Sequence, residues 1–101
     1  MPWAGSKGML QRFQERVLEA VEAYGPNVRI ADVRSHVEDR VDRGLAFGAV
    51  FTTLDRLEAK GLVSWRLGAP APARGGRAPR LYSLTREGGA ALDEARALGA
   101  S

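Results

Sequence analysis

Cysteine is missing from this chain of 101 residues, and histidine occurs once, as His36. Without thiols there is no disulfide framework and no thiolate metal site. With no second imidazole to join it, His36 reads as a helix-packing or surface side chain, and no metal site is expected. Long apolar runs are missing too. Nothing approaches the roughly eighteen residues needed to cross a bilayer, and the N-terminal residues 1–7 lack the apolar segment of a secretory signal. The chain is therefore expected to work in the cytoplasm, with no membrane partner. There is no nucleotide-cradling loop with its Lys-Ser/Thr pair, and no nucleophile beside a base, so neither an enzyme nor a cofactor is expected. The last absence is the most telling one. Between residues 59 and 82 there is no acidic side chain at all, against five basic ones.

The charge present is distributed accordingly. Residues 1–43 carry seven basic and seven acidic side chains; residues 44–82 carry six basic and two acidic; residues 83–101 carry two basic and three acidic. The formal excess of +3 thus comes from one segment of the chain. Charge concentrated in this way is the footprint of a polyanion-binding surface.

Apolar periodicity supplies the elements. Leu10, Phe13, Val17, Val21 and Tyr24 recur at three- and four-residue steps and predict a helix over about residues 9–23, stopped by Gly25-Pro26. Residues 1–8 read as a flexible tail ahead of a single domain over residues 9–101. A short extended piece at 28–30 leads to a second helix striped by Val33, Val37 and Val41 and ended by Gly44. A third helix is expected over 47–60, ended by Gly61. Residues 62–67 alternate as a strand, 68–79 have loop composition, and 81–84 read as the returning strand. Thr85 is placed to cap a last helix reaching about residue 98. The fold class is mainly α with a small β-hairpin. Its order, helix-helix-helix-hairpin-helix, is that of a winged helix-turn-helix.

On the third helix, Phe47, Val50, Phe51, Leu54 and Leu57 form the inward stripe. The outer arc gathers Gly48, Ala49, Thr52, Thr53, Arg56 and Lys60. Small residues let a helix sink into a major groove, hydroxyls and guanidinium groups can bond base edges, and Asp55 and Glu58 stand aside next to the inward stripe. In the hairpin loop, Arg74, Gly75, Gly76, Arg77 and Arg80 bring three guanidinium groups around a glycine pair, a composition suited to phosphate contacts and narrow minor grooves. Trp65 shares a strand face with Val63 and Leu67 and is expected to pack the hairpin on the core.

The run Phe47-Gly48-Ala49-Val50-Phe51-Thr52-Thr53-Leu54-Asp55-Arg56-Leu57-Glu58-Ala59-Lys60-Gly61-Leu62-Val63 resembles the reading-helix signature of the PadR-like transcriptional regulators. Arg74-Gly75-Gly76-Arg77 and Tyr82-Ser83-Leu84-Thr85-Arg86-Glu87-Gly88 resemble that family's wing and final helix start. The resemblance covers about residues 10–98. It implies a dimeric bacterial regulator of double-stranded DNA, usually a repressor, with the third helix in the major groove and the wing on the backbone or minor groove. Ala46 stands where the family often has serine, and Phe51 where tyrosine is common. Surplus apolar residues on the first and last helices predict a homodimer through Met9, Leu10, Phe13, Leu18, Leu92 and Leu98. The resemblance also leaves open a small-molecule effector of unknown identity, for which Trp65 is the candidate stacking residue, against its expected packing role. The competing reading is a protein–protein adaptor, a module that keeps the fold but loses the basic wing; here the wing's basic residues are present.

Overall fold

Each helix buries apolar side chains against at least one other element. The computed structural model describes residues 4–41, 47–70 and 75–100. In chain order they form α1 (Ala4–Tyr24), α2 (Ile30–Val41), α3 (Phe47–Ala59), β1 (Val63–Leu67), β2 (Arg80–Leu84) and α4 (Arg86–Ala100). Helix α1 begins at Ala4, five residues before the expected start, so most of the expected tail is helical.

The central element is α1, which touches α2, α3, α4 and β2. Such a helix buries more than one narrow stripe. Val17, Leu18, Ala20 and Val21 all lose contact with water, with Phe13 half-buried beside them. Leu18 was expected at a dimer interface; it is instead part of the chain's own core, because neighbours flank α1 on several sides. Leu92 on α4 is corrected in the same way, being fully buried among the core residues. Tyr24, expected in the α1 core stripe, is exposed and meets His36 edge-on, with ring centroids 5.3 Å apart. Val33 and Val37 from α2 and Val50, Leu54 and Leu57 from α3 complete the helical part of the core.

The hairpin is antiparallel, with Val63 opposite Leu84, Trp65 opposite Tyr82 and Leu67 opposite Arg80. A further hydrogen bond from the Gly68 N–H to the Pro79 carbonyl, 2.8 Å, extends the ladder by one rung. The extended piece expected at 28–30 is a single-residue bridge: Val28 and Tyr82 exchange both backbone hydrogen bonds at 2.8 Å. Tyr82 thereby turns its backbone polar groups away from Trp65. The Trp65–Tyr82 pair is therefore of the non-hydrogen-bonded kind, in which facing side chains come closest.

Two joints fix the hairpin to the helices. At the end of α3, Gly61 has φ +77°; its N–H donates to the Glu58 carbonyl, and that of Leu62 to the Leu57 carbonyl, both at 2.9 Å. This is a Schellman stop, and Leu62 packs on the core beside Leu57 as that motif favours. At the start of α4, the Gly88 N–H donates to Thr85 Oγ1 at 3.0 Å, so Thr85 caps the helix as expected. The same hydroxyl donates to the Gly61 carbonyl at 2.6 Å, tying one joint to the other.

Candidate nucleic-acid interface

The outward face of α3 starts with residues that project little. Gly48, Ala49 and Thr52 are exposed, and a Cβ added at Gly48 would meet nothing. Arg56 follows one turn after Thr52, exposed, and its guanidinium makes no ion pair or hydrogen bond to a described residue. A surface arginine of this kind is available to an incoming acceptor.

Two expected members of this face do other work. Thr53 is only 8% exposed, and its hydroxyl donates to the Ala49 carbonyl one turn back at 2.9 Å. It lies on the boundary next to Val50 and Leu57, and tertiary packing turns it inward. Thr53 is thus removed from the set that could read bases. Lys60, just past the end of α3, is exposed and donates from Nζ to Gln14 Oε1 of α1 at 3.2 Å. That contact is long and solvated, so Lys60 presents an exposed cation at the helix end.

The wing is shaped by its glycines. Gly75 and Gly76 have φ +66° and +81°, values that side chains other than glycine rarely adopt, so the pair makes the turn. Arg77 is exposed immediately after it. Arg74 lies outside the described residues.

Arg80 was expected on phosphates with Arg74 and Arg77. It is instead held at the root of the wing. Its guanidinium carbon lies 4.2 Å from the Trp65 ring centroid and 5.0 Å from that of Phe51. Its Nη1 sits 3.4 Å from both Asp55 Oδ1 and the Tyr82 hydroxyl. Arg80, Tyr82, Trp65 and Leu67 share one face of the hairpin, and Phe51 and Asp55 share one flank of α3, four residues apart. The rings matter more here than the ion pair. A part-exposed cation–π contact contributes about 0.5–1 kcal/mol, whereas a long surface ion pair contributes little that can be measured. The hydrogen bond to Tyr82 raises the guanidinium pKa above its ordinary value against an opposing effect of burial, with Asp55 adding a smaller contribution, so it stays charged throughout.

Trp65 accordingly leans on α3 through Arg80, although 38% of it stays exposed, and Leu67 further along the strand is largely exposed. Periodicity gave no sign of two other contacts. Arg66 Nε donates to Asn27 Oδ1 at 2.9 Å, and the Asn27 N–H donates to Ser83 Oγ at 3.0 Å, anchoring the opposite face of the hairpin to the α1–α2 turn. Asn27 has φ +66°, which asparagine adopts more readily than most residues; an asparagine directly after Gly25-Pro26 is the one local signal the sequence offers for it. Among the described residues no group of three or more His, Asp or Glu side chains could hold a metal ion, and no helix is long and apolar enough to cross a membrane.

No family model and no curated protein matches the chain. Solved structures do. A PadR-like transcription factor from Bacteroides fragilis superposes with a TM-score of 0.75 at 17% identity, covering 92% of this chain and 84% of that one. F93 from STIV, a winged-helix DNA-binding protein, gives 0.63 at 18% identity over 83% of each chain. Bacillus subtilis PadR in complex with operator DNA gives 0.65 at 14% identity, covering 80% of this chain and 43% of that one. The chain has the winged helix-turn-helix fold. At these identities the likeness concerns architecture, and the chemistry rests on the side chains described above.

Proposed function

We propose that this winged helix is a cytoplasmic transcriptional regulator, a repressor that binds double-stranded DNA by sequence and performs no chemistry. The carrying observation is the exposed face of α3, small at Gly48, Ala49 and Thr52 and then cationic at Arg56, on the same helix that anchors a basic, glycine-turned wing. Gly48, Ala49 and Thr52 would lie against base edges, Arg56 would pair with a base or fix register, and Lys60, Arg74 and Arg77 would neutralise phosphates around Gly75 and Gly76. The structural likeness to a PadR solved on its operator supports this reading.

One reading helix spans few base pairs, and two-fold proteins gain specificity by reading half-sites about one helical turn apart. A homodimer is therefore part of the proposal. With Leu18 and Leu92 spent on the chain's own core, the surface proposed for it is the first half of α1, which carries Met9 and Leu10 in its sequence, with half-buried Phe13 and Leu98 of α4, 72% exposed. The side chains of Met9 and Leu10 lie outside the described residues.

The test is selection of duplexes from a random 30-base-pair pool, followed by titration of a selected duplex and a scrambled one at several salt concentrations. Preferential retention of the selected duplex, with affinity falling steeply as salt rises, is expected. Failure to shift any duplex at low salt sinks the proposal and favours the adaptor reading. Light scattering tests the dimer: a mass near 10.9 kDa rejects it.

A further inference from the structure

Arg80 sits in the most basic part of the chain and would be counted as a phosphate ligand on charge alone. Three observations set it apart. Its guanidinium carbon lies over the rings of Trp65 and Phe51, its Nη1 faces Asp55 and the Tyr82 hydroxyl, and it stands one rung short of the hairpin's last, between Tyr82 and the loop that carries Arg77. Phe51 and Asp55 belong to the reading helix and Trp65 to the wing, so a single side chain spans the junction between the two.

The geometry points to Arg80 as a positioning residue: clamped between Phe51 of α3 and Trp65 of β1, it fixes the angle at which the wing leaves the reading helix, and so the spacing between Arg77 and the Thr52–Arg56 face. The inference rests on the proposed DNA reading for its consequence but not for its mechanism. The Val28 bridge and the Thr85–Gly61 joint hold the base of the hairpin; nearer its tip Arg80 reaches across to Phe51 and Asp55 of α3, and a two-stranded ribbon is too weak by itself to keep a set angle there. Wing-tip and helix contacts can be made together only if that angle suits the duplex. Asp55 has a second effect. Left alone, its carboxylate would stand beside the proposed DNA-facing surface and repel phosphate; next to Arg80 its charge is offset. Lysine cannot replace arginine here, because a compact ammonium has no plane to lie against two rings at once.

The test uses the full chain carrying Trp3→Phe, which leaves Trp65 as its one tryptophan. Two variants are made in it: Arg80→Lys, which keeps the charge, and the pair Arg80→Met with Asp55→Asn, which removes one charge of each sign. Circular dichroism confirms that each folds; should the pair not fold, Arg80→Lys alone carries the test. The expected results are greater quenching of Trp65 emission by acrylamide in both variants, and about tenfold weaker binding of the selected duplex, the size of one lost base contact. The scrambled duplex and the salt slope should be unaffected. If Arg80 were a phosphate ligand, the paired variant would weaken both duplexes alike and flatten the slope by about 0.9, and lysine would restore binding; that pattern overturns the inference. Unchanged quenching overturns it as well, whatever the DNA result. Should the parent chain bind no duplex at all, the proposed function fails while the quenching still decides whether the clamp exists.

Discussion

At the scale of single residues, two neighbours on α3 separate what charge and periodicity reveal from what they hide. Arg56 was legible: it lies opposite the Val50–Leu54–Leu57 stripe, and no rotation of the helix by a few tens of degrees would bury it. Thr53 was not legible, because it stands on the boundary of that stripe, where a small rotation decides between water and core. The two predict opposite outcomes. Arg56→Ala should leave the unfolding midpoint unchanged and weaken a selected duplex by about 1–3 kcal/mol if the contact is to a base; equal loss on a scrambled duplex would move it to the backbone. Thr53→Val should change DNA affinity little, and stability by less than about 1 kcal/mol, because valine fills the same space and the Ala49 carbonyl keeps its place in the helix ladder. A large loss of affinity in Thr53→Val would return that hydroxyl to the reading surface. Arg80 was illegible for another reason. Its ring partners lie 15 and 29 residues earlier, and no local pattern announces a contact of that range.

Among whole elements, the punctuation was read well and the joints were not. Gly25-Pro26, Gly61 and Thr85 mark boundaries by local chemistry, and each stands at the end expected of it. Gly88 carries no such signal, yet a Cβ there would run into the Leu62 carbonyl, which already accepts the Thr85 N–H at 3.1 Å. The two glycines should respond differently to alanine. Gly61→Ala forces a side chain into a left-handed backbone with open space around it and should cost about 1 kcal/mol or slightly more in urea unfolding. Gly88→Ala must push α4 away from the α3–β1 turn, and the overpacking should cost about 1–3 kcal/mol. A Gly88→Ala protein as stable as the parent would show that α4 can shift freely on the turn.

For the molecule as a whole, element order and the placement of charge were enough to give the architecture, since each amphipathic stripe has few partners available. The pairing of distant surfaces was beyond them. One such pairing closes α1 onto α4: Arg96 Nη2 lies 2.7 Å from Glu22 Oε1, and Nη1 lies 3.3 Å from Oε2. The hydrogen bond from Arg96 lowers the Glu22 pKa below the ordinary glutamate value against a small opposing effect of burial. A carboxylate lowered in this way adds stability that is complete above its unfolded pKa and fades as pH falls through the folded one. Thermal midpoints should therefore decline more steeply on acidification in the parent than in Glu22→Gln, most visibly at low ionic strength, because the pair is exposed and screened. Parallel acid profiles for the two proteins would show that the pair contributes nothing in solution.

The bridge between Val28 and Tyr82 also has a temporal consequence. The Tyr82 amide proton is held by a residue from the α1–α2 turn, its side chain is fully buried, and its strand is paired on the other side by β1. Exposing that proton to solvent requires the strand and the turn to separate, which amounts to dismantling the core. In native-state hydrogen exchange it should rank among the slowest amides, with an opening free energy equal to that of global unfolding. The amides of Gly75 and Gly76, exposed at the wing's turn, should exchange through local fluctuation alone. A wing clock and a core clock would then run side by side within one short chain. Tyr82 exchange that quickened with the wing's, rather than with denaturant, would mean that the bridge opens on its own.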